Sequence, residues 1–294
     1  MQTRITEGTI SNRMLAGLQS NLGKLTKLEG QLSSGKLISR PSDSPTGAVS
    51  AMRLRTDIRT VQQYNRNIDN GLGWLSTADA TLTGSLTQLN RARDLVVQAS
   101  STGAVGADSR EAIATELEQI RDSLIELSNT KFLDRPIFGG TTPGNVAYDP
   151  SGAFVGDAGT VDRRVGENAS VQVNLNGPDV YGTGSAQLFA VLTDLADKVR
   201  TAPDTLGAGL KSLDTGMATM MSQLADVGAR YNRMTVMQDT GNERLVTLKS
   251  QLSDFEDIDL PSTIMEVKLQ ETAYQAALAA TAKVVQTSLI DFLR

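Results

Sequence analysis

Stepping by sevens from Leu54 meets Val61, Ile68, Leu75, Leu82, Leu89 and Val96, an unbroken apolar series at one position of a heptad frame. A companion position holds Ile58, Tyr64, Leu72, Ala78, Leu86 and Ala92, which completes an a/d stripe able to bury one helix against others. No proline lies inside this stretch. The spacing predicts one helix from Gly47 to Gln98, roughly 75 Å long at 1.5 Å per residue. So long a helix needs long partners, and it limits the chain to a bundle or rod.

Composition narrows the chemistry. The chain has 294 residues, a formal charge of -5, 39% hydrophobic residues and only 4% aromatic ones. Cysteine and histidine are both absent. Disulfides, thiolate sites, imidazole ligands and the commonest general base are therefore excluded, and the chain reads as non-enzymatic, with no cofactor and no metal. No apolar run approaches the roughly 18 residues that cross a bilayer, and Met1 to Ser20 lacks a secretory hydrophobic core. A soluble protein without an ordinary signal peptide is expected. Mild acidity without a basic block argues against nucleic acid, and the mixed charges around Leu278, Leu289 and Phe292 argue against a membrane surface.

Leu15, Leu18, Leu22, Leu25, Leu28 and Leu32 recur every three or four residues and predict an amphipathic first helix. Gly35 suits its left-handed cap, and Pro41 and Pro45 forbid continuous helix, so Pro41, Asp43 and Pro45 mark a hinge. After the long helix, Ala99 to Ala107 reads as a reversal. Asp108 is expected to cap the next helix with Glu111 closing a capping box, ahead of the stripe Ile113, Leu117, Ile120, Leu124 and Leu127. From Phe132 glycine and proline become frequent, and short strands are expected near Ala153 to Val155, Val161 to Val165 and Val171 to Leu175. A helix from Ala186 to Val199 leads out of this insert.

Beyond Pro203 the helical period returns through Leu213, Met217, Met220, Leu224, Val227, Tyr231, Met234, Leu245, Leu248, Leu252 and Phe255, the long partner required by the first seam. Gln238 and Gly241 fall on its stripe and are expected to loosen it. Pro261 marks a second break, and a last helix carries Ile264, Val267, Tyr274, Leu278, Val285, Leu289 and Phe292. The fold class is mainly α: a long coiled-coil-like bundle built from both ends of the chain, with a small β-containing insert. The expected divisions are 1–45, 46–130, 131–204, 205–257 and 258–294.

The ends carry opposite charge. Residues 1–40 hold six basic and two acidic residues, and residues 254–294 hold three basic and seven acidic, so +4 faces -4. Exposed pairs contribute little stability but guide pairing. Two terminal helices paired alone leave a flank of each stripe wet. Leu15, Leu18, Leu22, Leu25, Leu32, Ile264, Tyr274, Leu278, Val285, Leu289 and Phe292 are therefore expected to form an assembly interface that is completed when copies stack.

Three stretches carry a family resemblance. Gln31-Leu-Ser-Ser-Gly-Lys-Leu-Ile-Ser-Arg-Pro-Ser-Asp-Ser-Pro45 resembles the hinge signature of bacterial flagellins and their hook-filament junction relatives, with Ser44 in place of a second acidic residue. The stretch from Tyr274 to Leu293 looks like the end of the junction members, while the final Arg294 is flagellin-like. Asn129-Thr-Lys-Phe-Leu-Asp-Arg-Pro-Ile-Phe-Gly-Gly-Thr141 is similar to the segment that opens the junction members' outer domain. The resemblance implies a structural subunit of the bacterial flagellum, exported through the flagellar secretion channel to an extracellular site. Implied partners are copies of itself, the other hook-associated junction protein, flagellin and an export chaperone covering the last helix. Flagellin itself is the alternative.

Several sharper readings yield to plainer ones. The acidic run Asp254, Glu256, Asp257 and Asp259 lacks the spacing and glycine of a cation loop, and reads as helix-end charge whose repulsion helps the hinge open. Gly103 to Gly106 and Gly182 to Gly184 lack the strand-to-helix context of a phosphate cradle, and Asn168-Ala-Ser170 reads as an ordinary loop. Met217, Met220, Met221, Met234 and Met237 read as core filling. An enzyme or binding module in the insert would need convergent carboxylates among Asp149, Asp157, Asp162 and Asp179.

Overall fold

The computed structural model describes residues 7–101 and 106–292, with the side chains of residues 7, 8, 10, 11 and 284–292 outside the description. In chain order the elements are α1 (Glu7–Ser34), α2 (Pro45–Ser100), α3 (Ala107–Ser128), β1 (Lys131–Phe132), β2 (Arg135–Pro136), β3 (Asp162–Arg164), β4 (Ser170–Gln172), α4 (Gly177–Tyr181), α5 (Leu188–Thr201), α6 (Leu206–Glu256) and α7 (Leu260–Phe292). The fold is mainly helical with two small ribbons. By packing the chain divides into Met1–Arg59 with Leu245–Arg294, and Thr60–Arg244.

The heptad seam is the buried face of α2. Val61, Ile68, Leu75, Leu82, Leu89 and Val96 are buried, while Leu54 is half-buried. Pro45 opens the helix, where its fixed φ is already helical and its missing N–H is no loss. Ser44 Oγ accepts from the Gly47 N–H at 3.2 Å, so the residue that departs from the family's acidic pattern still caps the helix.

In the larger unit one core joins α2, α3, α5, α6 and the insert. α3 buries Ile113, Ala114, Leu117, Ile120, Leu124 and Ile125. Its start differs from expectation: Gly106 occupies the cap position without a side-chain hydrogen bond, and Asp108 lies inside the first turn. The capping box fails because Glu111 is held elsewhere, by Arg200 of α5. Met217, Met220 and Met234 of α6 fill this core, whereas Met221 is half exposed.

Along α6 the buried stripe narrows to Val227, Met234 and Leu248, while Tyr231 and Phe255 are 40% and 45% exposed. A straight helix drifts from a seven-residue repeat, so the companion positions rotate away from the neighbour. Gln238 and Gly241 do not loosen the contact. Gln238 Nε2 donates to Asp69 Oδ1, and Asn65 Nδ2 donates to Asn242 Oδ1 at 2.8 Å. A Cβ at Gly241 would lie 2.4 Å from Asn65 Oδ1, so the bare glycine is what lets the two backbones close on a polar bridge.

The insert has less strand than expected. β1 and β2 form a hairpin through Leu133 and Asp134, both at positive φ, and β3 and β4 pair in antiparallel register Arg163↔Val171. Ala153 to Val155 contributes one bridge, Tyr148↔Phe154. Aromatic rings do the packing instead: Tyr148 meets Phe154, Tyr181 and Phe189 with centroids 5.2 to 5.6 Å apart, and Phe138 meets Tyr181 edge-on at 5.4 Å. Such pairs contribute beyond their buried area. Concentrating rings here lets a loop-rich segment make a firm core in a chain with few aromatics.

α5 lies on α3, which identifies the partner its stripe required, and buries Leu188, Val191, Leu192, Leu195 and Val199. Arg200 closes the contact, reaching Glu118 at 2.5 Å and Glu111 at 3.0 Å. Hydrogen bonds from Arg200 hold both carboxyls below their ordinary value of 4.5. The stabilisation is therefore complete above that value and is lost as pH falls through the lower folded values. Arg200→Leu should lower the melting temperature at pH 7, and the gap from wild type should close on acidification to pH 3, as thermal unfolding across pH will show.

Candidate assembly site at the chain ends

α1 and α7 pack along each other within the smaller unit. Leu18, Leu25, Leu28 and Leu32 of α1 are half-buried, as are Val267, Tyr274 and Ala277 of α7. Gln270 Nε2 donates to Asn21 O at 3.2 Å and to Asn21 Oδ1 at 3.3 Å, fixing the register. Leu15 and Leu22 remain 54% and 47% exposed, and Ile264, Met265, Leu269 and Leu278 are 48%, 70%, 72% and 43% exposed. The pair thus buries one flank of each helix and leaves large apolar side chains of both in water. The side chains of Val285, Leu289 and Phe292 lie outside the described residues.

The connections beside this pair are ordered by specific contacts. Gly35 ends α1 at φ +69, with its N–H on Gln31 O at 2.8 Å, the left-handed cap that a residue with Cβ resists. Asp43 accepts from the N–H groups of Arg40 (2.9 Å) and Ser39 (3.3 Å), which keeps its carboxyl below the usual range and folds the Pro41 turn. Pro261 lies inside the first turn of α7, where it starts the helix as readily as it breaks the previous one.

The acidic run does not repel. Leu37 N–H donates to Glu256 O at 2.6 Å and Ile258 N–H donates to Gly35 O at 3.2 Å, a two-bond antiparallel bridge between the two connections. Glu256 is 2% exposed, and its two carboxylate oxygens face Arg55 Nη2 at 2.7 Å and Lys36 Nζ at 3.4 Å. Lys36 Nζ also meets Asp257 Oδ1 at 2.6 Å. That contact raises the Lys36 pKa and, with Ser253, lowers that of Asp257. Glu256 and Asp257 are neutralised by basic residues from the other half of the chain, so these two carboxylates close the junction of the helices instead of opening it. The opposite charges of the two ends meet here. The register of α1 on α7 is set by Gln270 and Asn21.

The aspartates singled out in the insert do not converge. Asp149 accepts from Ser151 N at 2.8 Å and Ala153 N at 2.9 Å. Asp157 accepts from Thr141 N at 2.6 Å and Gly159 N at 2.8 Å, and these bonds pull its pKa to about 2. Both carboxylates stay charged and bind their own loops. Among the described residues no three acidic, histidine or cysteine side chains are grouped to hold a metal ion, and no helix is long and apolar enough to cross a membrane.

The Asn129 to Thr141 stretch supplies structural detail that periodicity missed. Asn129 Oδ1 accepts from the N–H groups of Ala147 (2.7 Å) and Tyr148 (2.9 Å), while its Nδ2 donates to Tyr148 O at 2.8 Å. Phe132 lies against Trp74 at 5.7 Å, and Ile137 and Phe138 are fully buried. The motif is the corner by which the insert leaves α3. An asparagine directly after an apolar stripe, followed by a Gly-Gly pair, was the available signal.

The chain matches the bacterial flagellin N-terminal helical region over residues 5–142 and the bacterial flagellin C-terminal helical region over residues 210–293. It belongs to the bacterial flagellin family. Within that family it is 25% identical to the flagellar hook-associated protein 3 of Escherichia coli, covering 90% of this chain and 92% of that one. It is 27% identical to the flagellin of Bacillus subtilis, covering 96% of each. The crystal structure of Bacillus cereus FlgL superposes with a TM-score of 0.60 at 22% identity, over 68% of this chain and 99% of the other.

Proposed function

We propose that this chain is a structural subunit of the bacterial flagellum that forms the junction between hook and filament by stacking its terminal helices with those of neighbouring copies. The large apolar side chains left open on the α1–α7 pair carry the reading. Six of them are about half exposed or more, and each would contribute roughly 1 kcal/mol on burial against a neighbouring copy. Leu15, Leu22, Ile264 and Leu278 are the described contact residues, with Leu18, Leu25, Leu32 and Tyr274 holding the pair together. The hook-associated names of curated relatives support the junction assignment.

The subunit would be exported through the flagellar secretion channel to an extracellular position. Its neighbours there are copies of itself, the other hook-associated junction protein and flagellin, and before export a chaperone would cover α7. Immunogold labelling of intact flagella decides between junction and shaft. Label confined to the filament base is expected; label along the whole shaft would make the chain a flagellin.

A further inference from the structure

We propose that Glu256 is the centre of a releasable ionic clasp that fastens the α1–α7 pair to the first turns of α2 and the last turns of α6. The inference deepens the assembly reading, on which the use of release depends, but the contact itself belongs to the free subunit. Four segments of the smaller unit meet at this carboxylate. α6 supplies Glu256, α2 supplies Arg55, the α1–α2 connection supplies Lys36, and the α6–α7 connection supplies Asp257 as a second acceptor for Lys36. The paired backbone bonds of Leu37 and Ile258 run through the same point, and Gln31 Nε2 holds Leu37 O at 3.0 Å.

The composition of the contact is what makes it releasable. In the larger unit the helices pack mainly through buried leucines, valines and methionines, whose contacts resist salt. Here the two chain ends meet through charge, with Leu37 49% exposed and Phe255 45% exposed at its edge. The buried carboxylate needs both cations, because an unpaired ion in so dry a place is strongly unfavourable. Those cations are open to solvent, with Lys36 and Arg55 side chains 41% and 53% exposed, so salt reaches them. The fastening therefore behaves as a unit. It holds the terminal pair in one arrangement in the free subunit, and it yields when a neighbour offers a better arrangement of the same charges.

Hydrogen–deuterium exchange of the full-length subunit tests this. In Glu256→Gln the amides of Leu37 and Ile258 should exchange at least about tenfold faster than in wild type, while α3 amides and Trp74 fluorescence, both reporters of the larger unit, stay unchanged. Raising salt to 1 M should speed the same two amides in wild type, a measurement that needs no variant. Exchanging the charges in Arg55→Glu with Glu256→Arg should restore part of the protection. Unchanged exchange at these amides in both Glu256→Gln and high salt would overturn the clasp. Incorporation of the same proteins into filaments is scored separately: failure of wild type to incorporate would count against the stacking reading and leave the clasp standing.

Discussion

Leu22→Asp and Leu269→Asp will each abolish incorporation into flagella while leaving the subunit folded. Leu22 is 47% exposed and Leu269 is 72% exposed in the free chain, so a carboxylate at either position stays hydrated there and costs little. In a stack the same carboxylate would face the neighbour's apolar flank. Desolvating it without a partner costs several kcal/mol, which weakens association by roughly a thousandfold or more. Thermal unfolding followed by Trp74 fluorescence should match wild type within about 2 °C, because the substitutions touch no buried side chain. Val155→Asp is the control: Val155 is 47% exposed but lies in the insert, so incorporation should continue. Normal incorporation of both leucine variants would remove the terminal flank from the assembly surface.

The contrast between seam and connections explains what could be read from the residues. A seven-residue apolar repeat has one physical solution, a long buried helix face, and every seam residue from Val61 to Val96 is buried. The α1 helix and its glycine cap at Gly35 were equally legible, because both follow from local geometry, whereas its apolar stripe is only half-buried at Leu18, Leu25, Leu28 and Leu32 and exposed at Leu15 and Leu22. The acidic run was not. Its sign of effect depends on Lys36 and Arg55, about two hundred residues away in sequence, and no local pattern tells that Glu256 and Asp257 are clasped by them. Gly241 failed for the same reason. Intrinsic propensity marks glycine as a weak point, but Asn65 on another helix turns it into a place of close approach. The insert's strands were overestimated because alternation in a short run shows a face to be buried without showing that a ladder buries it. Aromatic clustering around Tyr148 does that work here.

Gly140→Ala should be the most damaging single-methyl change in the larger unit. Gly140 has φ +70, and a Cβ there would lie 2.2 Å from the carbonyl oxygen of Asp157, a backbone atom that cannot rotate away. The left-handed conformation alone costs about 1 kcal/mol, and displacing the Asp157 loop also breaks its bonds to Thr141 and Gly159. The melting temperature should fall by at least roughly 2 to 4 °C in a unit of this size. Asn129→Ala acts on the same corner by stranding the Ala147 and Tyr148 backbone groups, and should cost a similar amount. Gly144→Ala is the matched control: its nearest neighbour, Thr142 Cγ2, would be 3.4 Å away, so the change should be close to neutral. Trp74 fluorescence during denaturant unfolding reads all three, since its ring packs on Phe132 of the same motif. If Gly140→Ala unfolds with Gly144→Ala, the Asn129 to Thr141 stretch is not a folding corner, and its likeness to the family would have to come from a contact made outside the subunit.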